Sequence, residues 1–256
     1  MSLNMNRLGG FYWVRRTGGQ LTLIQCFRLF IAILTSGLKS IPGFLELAGL
    51  LPHVPKAASP PTLLPSQSTL ATCAERAAAA ILHPEMLEHC YRSWLFGLAL
   101  AQADGHQLNN DHFYCAAMLH DYGLANAKPD RDFTLDGSDC AISCALAAGL
   151  STSSAETIAD AICVHPTPGI SIRRDGILGY YVQAGSLADV SGIRLWDIPD
   201  STVQAILMRH PRGHLFKQVL STKMRAEATA VPRGRFALLV RTGATVLIKS
   251  SIRGMR

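Results

Sequence analysis

His120 and Asp121 stand side by side at the end of an apolar run that stops at Gly123. Adjacent side chains point in different directions from a helix, so the two can converge on one point only where a helix ends. Together they would offer an imidazole nitrogen and a carboxylate oxygen to a single metal ion. The pair therefore predicts half of a coordination shell, and the other half must come from distant segments.

Three further polar residues are candidates for that other half: His89, His165 and Asp189. His120 and His165 each continue an apolar i, i+3, i+4, i+7 pattern, and Asp189 lies on the apolar stripe of its own segment. Each residue taken singly is better explained as a core residue with a backbone partner. Two imidazoles and two carboxylates on converging helices, however, form a mixed nitrogen and oxygen set suited to a first-row ion.

The elements that must position these residues are predicted to be helical. Apolar spacing and capping residues predict helices over residues 70–82, 85–103, 109–120, 135–150, 153–165 and 177–192. The third of these is capped by Asn109, Asn110 or Asp111, and the fifth by Ser153 or Ser154. A loop is predicted over residues 128–132. The sequence therefore predicts an all-α fold.

The order His89, then His120-Asp121, then Asp189 resembles the HD-domain superfamily, a group of helical metal-dependent hydrolases with the signature H...HD...D. Several strings are similar to the branch that contains the fungal cyanamide hydratases: His83-Pro84-Glu85 before His89 with Arg92 after it, LHDYG at 119–123, AICVH at 161–165, QAGSLADVSG at 183–192 and His210-Pro211-Arg212. The resemblance runs from about residue 70 to residue 217. It implies a helical bundle with the metal site between core helices.

The resemblance implies four metal ligands: His89, His120, Asp121 and Asp189. The ion would be a divalent transition metal such as iron, zinc or manganese. His165 would lie near the metal, either as a group that transfers protons or as a ligand of a second ion. Arg92 is the second candidate catalytic residue, although it is equally well explained as a structural residue that bonds an aspartate or backbone groups.

The activity implied by the resemblance is that of a hydrolase or hydratase that attacks a small molecule with metal-activated water. Trp94, Phe113 and Tyr181 are predicted to line an apolar pocket for such a substrate. The alternative is an HD phosphohydrolase acting on nucleotides or other phosphoesters, and the second alternative is a non-catalytic HD sensor or scaffold.

Two observations make the phosphohydrolase alternative less favoured than the hydratase interpretation. Nucleotidases of the superfamily usually place an acid a few residues after the HD pair, whereas residues 122–125 here are YGLA. An acid would have to fold back from the next segments: Asp130, Asp132, Asp136 or Asp139. Cations for a phosphoryl group would have to come from Arg92 or from the loop residues Arg131, Arg173 and Arg174.

The formal charge of +6 is unevenly distributed along the 256 residues. Residues 1–56 and 223–256 carry +5 and +7, whereas residues 57–222, with the candidate ligands, carry −6. No Cys/His finger or aromatic-interleaved basic motif accompanies the basic ends, so no specific nucleic-acid partner is predicted. Seven cysteines without a CxxC pair predict reduced, buried thiols in a cytoplasmic protein, among them Cys115, Cys144 and Cys163.

Three regions are predicted: an apolar and basic N-terminal segment with a proline-rich linker over 1–66, the HD domain over 67–222, and a basic C-terminal extension over 223–256. The apolar run 21–34, interrupted by Gln25 and Arg28, is too short to span a membrane and lacks a convincing cleavage site of a secretory signal. It is predicted to pack on the main domain as a helix, with membrane-surface contact as the alternative. The apolar runs 236–240 and 245–248 predict a final helix rather than a hairpin. A homo-oligomer is an alternative to a monomer.

Overall fold

The computed structural model describes residues 7–52, 55, 64 and 67–244. All regular secondary structure in these residues is helical. The all-α prediction is therefore confirmed. Most of the proline-rich linker, with Pro60, Pro61 and Pro65, and the apolar run 245–248 lie outside the described residues.

The helices follow one another along the chain: α1 (Phe11–Thr17), α2 (Leu23–Leu47), α3 (Thr69–Ile81), α4 (Pro84–Ala103), α5 (Asn110–Leu119), α6 (Thr134–Ala147), α7 (Thr152–Val164), α8 (Ile172–Asp175), α9 (Ile177–Ser191), α10 (Asp200–Arg209), α11 (Phe216–Ala230) and α12 (Arg235–Arg241). Two short 3-10 helices, Tyr122–Ala125 and Leu195–Asp197, lie in the connections. The helices predicted between residues 70 and 192 are all present, and α12 covers the first of the two C-terminal apolar runs.

Side-chain caps mark where α5 and α7 begin. The Asn109 carboxamide oxygen accepts a hydrogen bond from the backbone N–H of His112, which starts α5. Ser151 does the same for the N–H of Ser154, so the cap of α7 lies two residues before Ser153, the nearer of the two predicted caps. His120 and His165 are the residues that end α5 and α7, as the sequence predicts.

The close contact of α4 with α9 brings distant candidate residues together. A Cβ added at Gly185 of α9 would collide with the backbone carbonyl oxygen of Ser93 on α4. Ser93 lies one turn after His89, and Gly185 lies one turn before Asp189. The absence of a side chain at residue 185 therefore allows Asp189 to reach His89.

Gly185→Ala is expected to destabilise the protein by about 1–3 kcal/mol, because the added methyl group forces α4 and α9 apart. The change in the free energy of unfolding can be measured by urea denaturation. Gly37→Ala in α2 is the matched control, since a Cβ there meets open space and alanine favours a helix by up to about 1 kcal/mol. Equal stability of Gly185→Ala and the wild type would contradict the close packing.

Both ends of the described chain are attached to the central helices. Arg7 pairs with Asp160 and Asp175, and Asp160 also accepts a hydrogen bond from the N–H of Phe11 at 2.9 Å. Arg235 of α12, only 1% exposed, pairs with Asp132 at 2.8 Å. These ion pairs join α1 and α12 to the central helices, which local sequence patterns did not predict.

The prediction of reduced thiols is wrong for Cys144, which forms a disulfide with Cys73 between α6 and α3. The two residues are 71 positions apart, so no local spacing indicates the bond. Cys115 and Cys163 are free and buried, as predicted. Burial raises the pKa of the Cys163 thiol to about 12.

The N-terminal apolar helix α2 is longer than the sequence predicts. Gln25 does not interrupt it but caps its start: Gln25 and Thr22 each accept a hydrogen bond from the backbone N–H of the other. The helix continues through Pro42 to Leu47. Among the described residues it is the one helix long and apolar enough to cross a membrane. Only 11% of the 18-residue apolar stretch that gives it this property is buried.

Candidate metal centre

Four helices contribute the side chains that the sequence singles out. α4 carries His89 and Arg92, His120 and Asp121 follow the end of α5, His165 follows the end of α7, and α9 carries Asp189. All six side chains are at most 5% exposed. The structure therefore brings the predicted site residues into one buried region.

His89, His120 and Asp121 form a compact group that could hold a metal ion. The two Nε2 atoms are 3.3 Å apart. Oδ2 of Asp121 lies 3.6 Å from Nε2 of His89 and 3.4 Å from Nε2 of His120. Two imidazoles and a carboxylate are the donor set of a borderline first-row ion, so the residues present fit such a metal.

The hydrogen bonds at the opposite ring nitrogens determine which tautomer each histidine adopts. Nδ1 of His120 donates to the carbonyl oxygen of Ala117 at 2.7 Å, and Nδ1 of His89 donates to Oδ2 of Asp189 at 2.7 Å. A carbonyl or carboxylate oxygen only accepts, so both protons lie on Nδ1 and both Nε2 atoms keep their lone pairs. Burial lowers the pKa of His120, which favours the neutral, metal-binding form.

His165 approaches the same group from the other side of Asp121. Its Nε2 lies 3.7 Å from Oδ1 of Asp121, and its Nδ1 donates to the carbonyl oxygen of Ile162 at 2.7 Å. Burial, followed by the neighbouring His120, lowers the pKa of His165 well below its ordinary value. A third neutral imidazole therefore presents its Nε2 lone pair beside the group.

Asp189, predicted as a ligand, contacts the group through His89. Its Oδ2 accepts the hydrogen bond from His89, and its Oδ1 accepts from Nε of Arg92 at 2.7 Å and from Nε of Arg212 at 2.9 Å. Burial alone would raise the pKa of Asp189, but Arg92, Arg212 and His89 together lower it well below its ordinary range. Asp189 thus orients His89 as an anion, and direct ligation by Asp189 stays a prediction.

The surroundings of Arg92 favour the structural alternative for this residue. Its side chain is fully buried, with the guanidinium 5.0 Å from the ring centroid of Phe216. Besides Asp189, Arg92 donates to the carbonyl oxygen of Pro211 at 3.0 Å. Arg92 therefore connects α4 to α9 and to the loop before α11, and its catalytic role stays a prediction.

Sequence patterns missed four residues beside the histidines. The hydroxyl oxygens of Ser93 and Ser186 each lie 3.4 Å from Nε2 of His89. The rings of Phe216 and Phe133 lie 5.4 Å and 5.8 Å from those of His89 and His165. Helical spacing could have indicated the two serines, because Ser93 follows His89 by four residues and Ser186 precedes Asp189 by three. No local signal marks the phenylalanines.

The three residues predicted to line an apolar pocket are packed in the core. Trp94, Phe113 and Tyr181 are at most 4% exposed. Trp94 packs edge-on against Tyr114, and the Tyr181 hydroxyl bonds Asp104 and His106 beyond the C-terminal end of α4. The surroundings of Tyr181 therefore lie at the opposite end of α4 from His89.

Neither the models of known protein families nor the curated proteins give a match to this chain.

Proposed function

We propose that this protein is a metal-dependent hydrolase or hydratase of a small molecule and a member of the HD-domain superfamily, similar to the cyanamide hydratase-like branch. The proposal is carried by one observation. Nε2 of His89 and of His120 converge with the Asp121 carboxylate in a buried position, with both lone pairs directed away from the protonated nitrogens.

His89, His120 and Asp121 would hold the ion, which we propose to be iron, zinc or manganese. A bound divalent ion lowers the pKa of a coordinated water toward neutrality and so supplies a hydroxide nucleophile. The chain's own contribution is the fixed orientation of the two imidazoles, given by the acceptors at Nδ1.

His165 would move a proton beside this group. Its Nδ1–H is held by the Ile162 carbonyl, so Nε2 is the atom that accepts or returns the proton. Nε2 lies on the Asp121 side of the group, 3.7 Å from Oδ1. Attack of water on a nitrile or amide carbon requires one such transfer to the developing anion.

The surroundings favour a small, weakly charged substrate. The candidate ligands and His165 are at most 5% exposed, and Phe133 and Phe216 pack against the histidine rings. Several cations that could hold a phosphoryl group are paired with acids: Arg131 with Asp136 and Asp139, Arg174 with Asp175, and Arg92 and Arg212 with Asp189. These pairs favour nitrile or amide chemistry over phosphoester hydrolysis.

The acids that phosphoester hydrolysis would require are likewise bonded to other side chains. Asp130 accepts from the side chain of Gln20, and Asp132 pairs with Arg235. Asp136 and Asp139 both pair with Arg131.

The test is a parallel screen of cyanamide-type nitriles, amides and nucleoside monophosphates with iron, zinc, manganese and cobalt. We expect turnover of a nitrile or an amide that a chelator abolishes. His165→Gln should lower kcat by about 100-fold or more while the metal content stays unchanged. Replacement of the exposed His214 by glutamine is the matched control and should leave kcat unchanged.

Two outcomes would overturn the proposal. Turnover confined to nucleoside monophosphates would replace the proposed reaction with phosphoester hydrolysis. A metal-loaded protein that turns over none of these substrates would favour the sensor or scaffold alternative.

A further inference from the structure

The long helix α2 directs its apolar side chains away from the protein. Outward-facing apolar residues recur three or four positions apart along its length: Leu23, Phe27, Phe30, Leu34, Leu38 and Ile41. Leu23 is 89% exposed, and Phe27 and Leu38 are 66% and 67% exposed. We call these six residues the outer stripe. A helix packed only on its own domain would direct such a stripe inward.

The opposite face of α2 attaches the helix to the domain along its length. Leu29, Ser40 and Gly43 are its buried residues. Gly43 lies so close to the indole ring of Trp196 that a Cβ there would collide with it, and Phe44 packs edge-on against the same ring at 5.3 Å. Because these contacts hold α2 against the domain, the helix does not project into solvent. The outer stripe is therefore part of the domain surface.

Basic side chains accompany the outer stripe. Arg28 and Lys39 are exposed and eleven residues apart, which is three helical turns, so they lie on the same flank of the stripe. Glu46, in the last turn, is the one acidic residue of α2. An apolar stripe flanked by cations matches the chemistry of a bilayer surface that carries anionic headgroups.

We propose that α2 binds the surface of an anionic lipid bilayer. The helix is about 37 Å long and lies parallel to the membrane, with the outer stripe in the boundary between headgroups and acyl chains. Arg28 and Lys39 contact the headgroup phosphates and carboxylates. This inference rests on α2 alone and is independent of the proposed function.

Charge favours a bilayer over a second copy of the chain as the occupant. In an antiparallel pair centred between residues 33 and 34, Arg28 of each copy would face Lys39 of the other. In a parallel pair, the cations of the two copies would lie on opposite edges of the contact. Neither arrangement gives Arg28 or Lys39 an acidic partner on the facing helix, whereas anionic lipid neutralises both cations.

The test is co-sedimentation of the full chain with vesicles of phosphatidylcholine, with and without phosphatidylserine. We expect binding that requires phosphatidylserine and weakens as salt is raised. Leu34→Gln/Leu38→Gln should lower the affinity by about tenfold or more, since two apolar side chains leave the boundary region. Arg28→Gln and Lys39→Gln should each lower the affinity by roughly fivefold.

Thr35→Gln, at an exposed position beside the stripe, is the matched control and should bind as the wild type does. Circular dichroism of each variant verifies that the helical fold is kept. Two results would overturn the proposal: a wild-type chain that stays in the supernatant with anionic vesicles, or a wild-type dimer in solution that Leu34→Gln/Leu38→Gln converts to monomers. The second result would identify another copy of the chain as the occupant.

Discussion

His120→Ala is expected to abolish metal binding at the proposed site. His120 contributes one of three converging candidate ligand atoms, with Nε2 3.3 Å from Nε2 of His89 and 3.4 Å from Oδ2 of Asp121. The loss of one ligand in a buried group should lower metal affinity by more than the roughly 10–100-fold that loss of an outer hydrogen-bond partner costs. Elemental analysis of the purified protein after dialysis against zinc, iron or manganese measures the effect.

A second measurement separates metal loss from misfolding. An ion that binds the folded state raises the midpoint of thermal unfolding, so a chelator should lower this midpoint for the wild type. The chelator should have no effect on His120→Ala, and replacement of the exposed His214 by alanine should behave like the wild type. Retention of metal in His120→Ala, with a midpoint that still responds to the chelator, would contradict the proposed site.

The helical framework was predictable because its signals are local. The apolar spacing around Phe113 and Ile158 repeats every three or four residues, and Asn109 marks the start of α5 by its own side chain. The α7 boundary was displaced because three serines stand close together at 151, 153 and 154 and only Ser151 caps. The end of α2 was missed because the apolar run stops at Leu34, whereas the helix continues through Pro42.

The composition of the candidate metal-binding group was predictable, but its contacts were not. The position of His120 at a helix end allowed Asp121 to turn toward the same point, and the structure brings His89 to both. The contacts of Asp189 depend on Arg92 and Arg212, which are 97 and 23 residues away, and on the glycine contact between α4 and α9. Such contacts are set by tertiary packing, so no spacing along the chain indicates them.

Asp189→Asn is expected both to destabilise the fold and to weaken metal binding. A carboxylate has two accepting oxygens, one for His89 and one for the two arginines, whereas an asparagine side chain has only one. Either His89 loses its acceptor or the fully buried Arg92 faces an amide N–H. Removing one partner of a buried ion pair costs about 3–5 kcal/mol, which urea unfolding of the metal-free protein measures.

Metal competition titrations of the same variant distinguish the two roles of Asp189. If Asp189 acts by orienting His89, Asp189→Asn should bind the ion roughly 10–100-fold more weakly than the wild type. Asp160→Asn is the matched control, because Asp160 is also a buried partner of an arginine but contacts Arg7 and Phe11. It should lose stability and keep its metal affinity. Complete loss of metal in Asp189→Asn, equal to that in His120→Ala, would instead show that Asp189 binds the ion directly, and an unchanged affinity would exclude both roles.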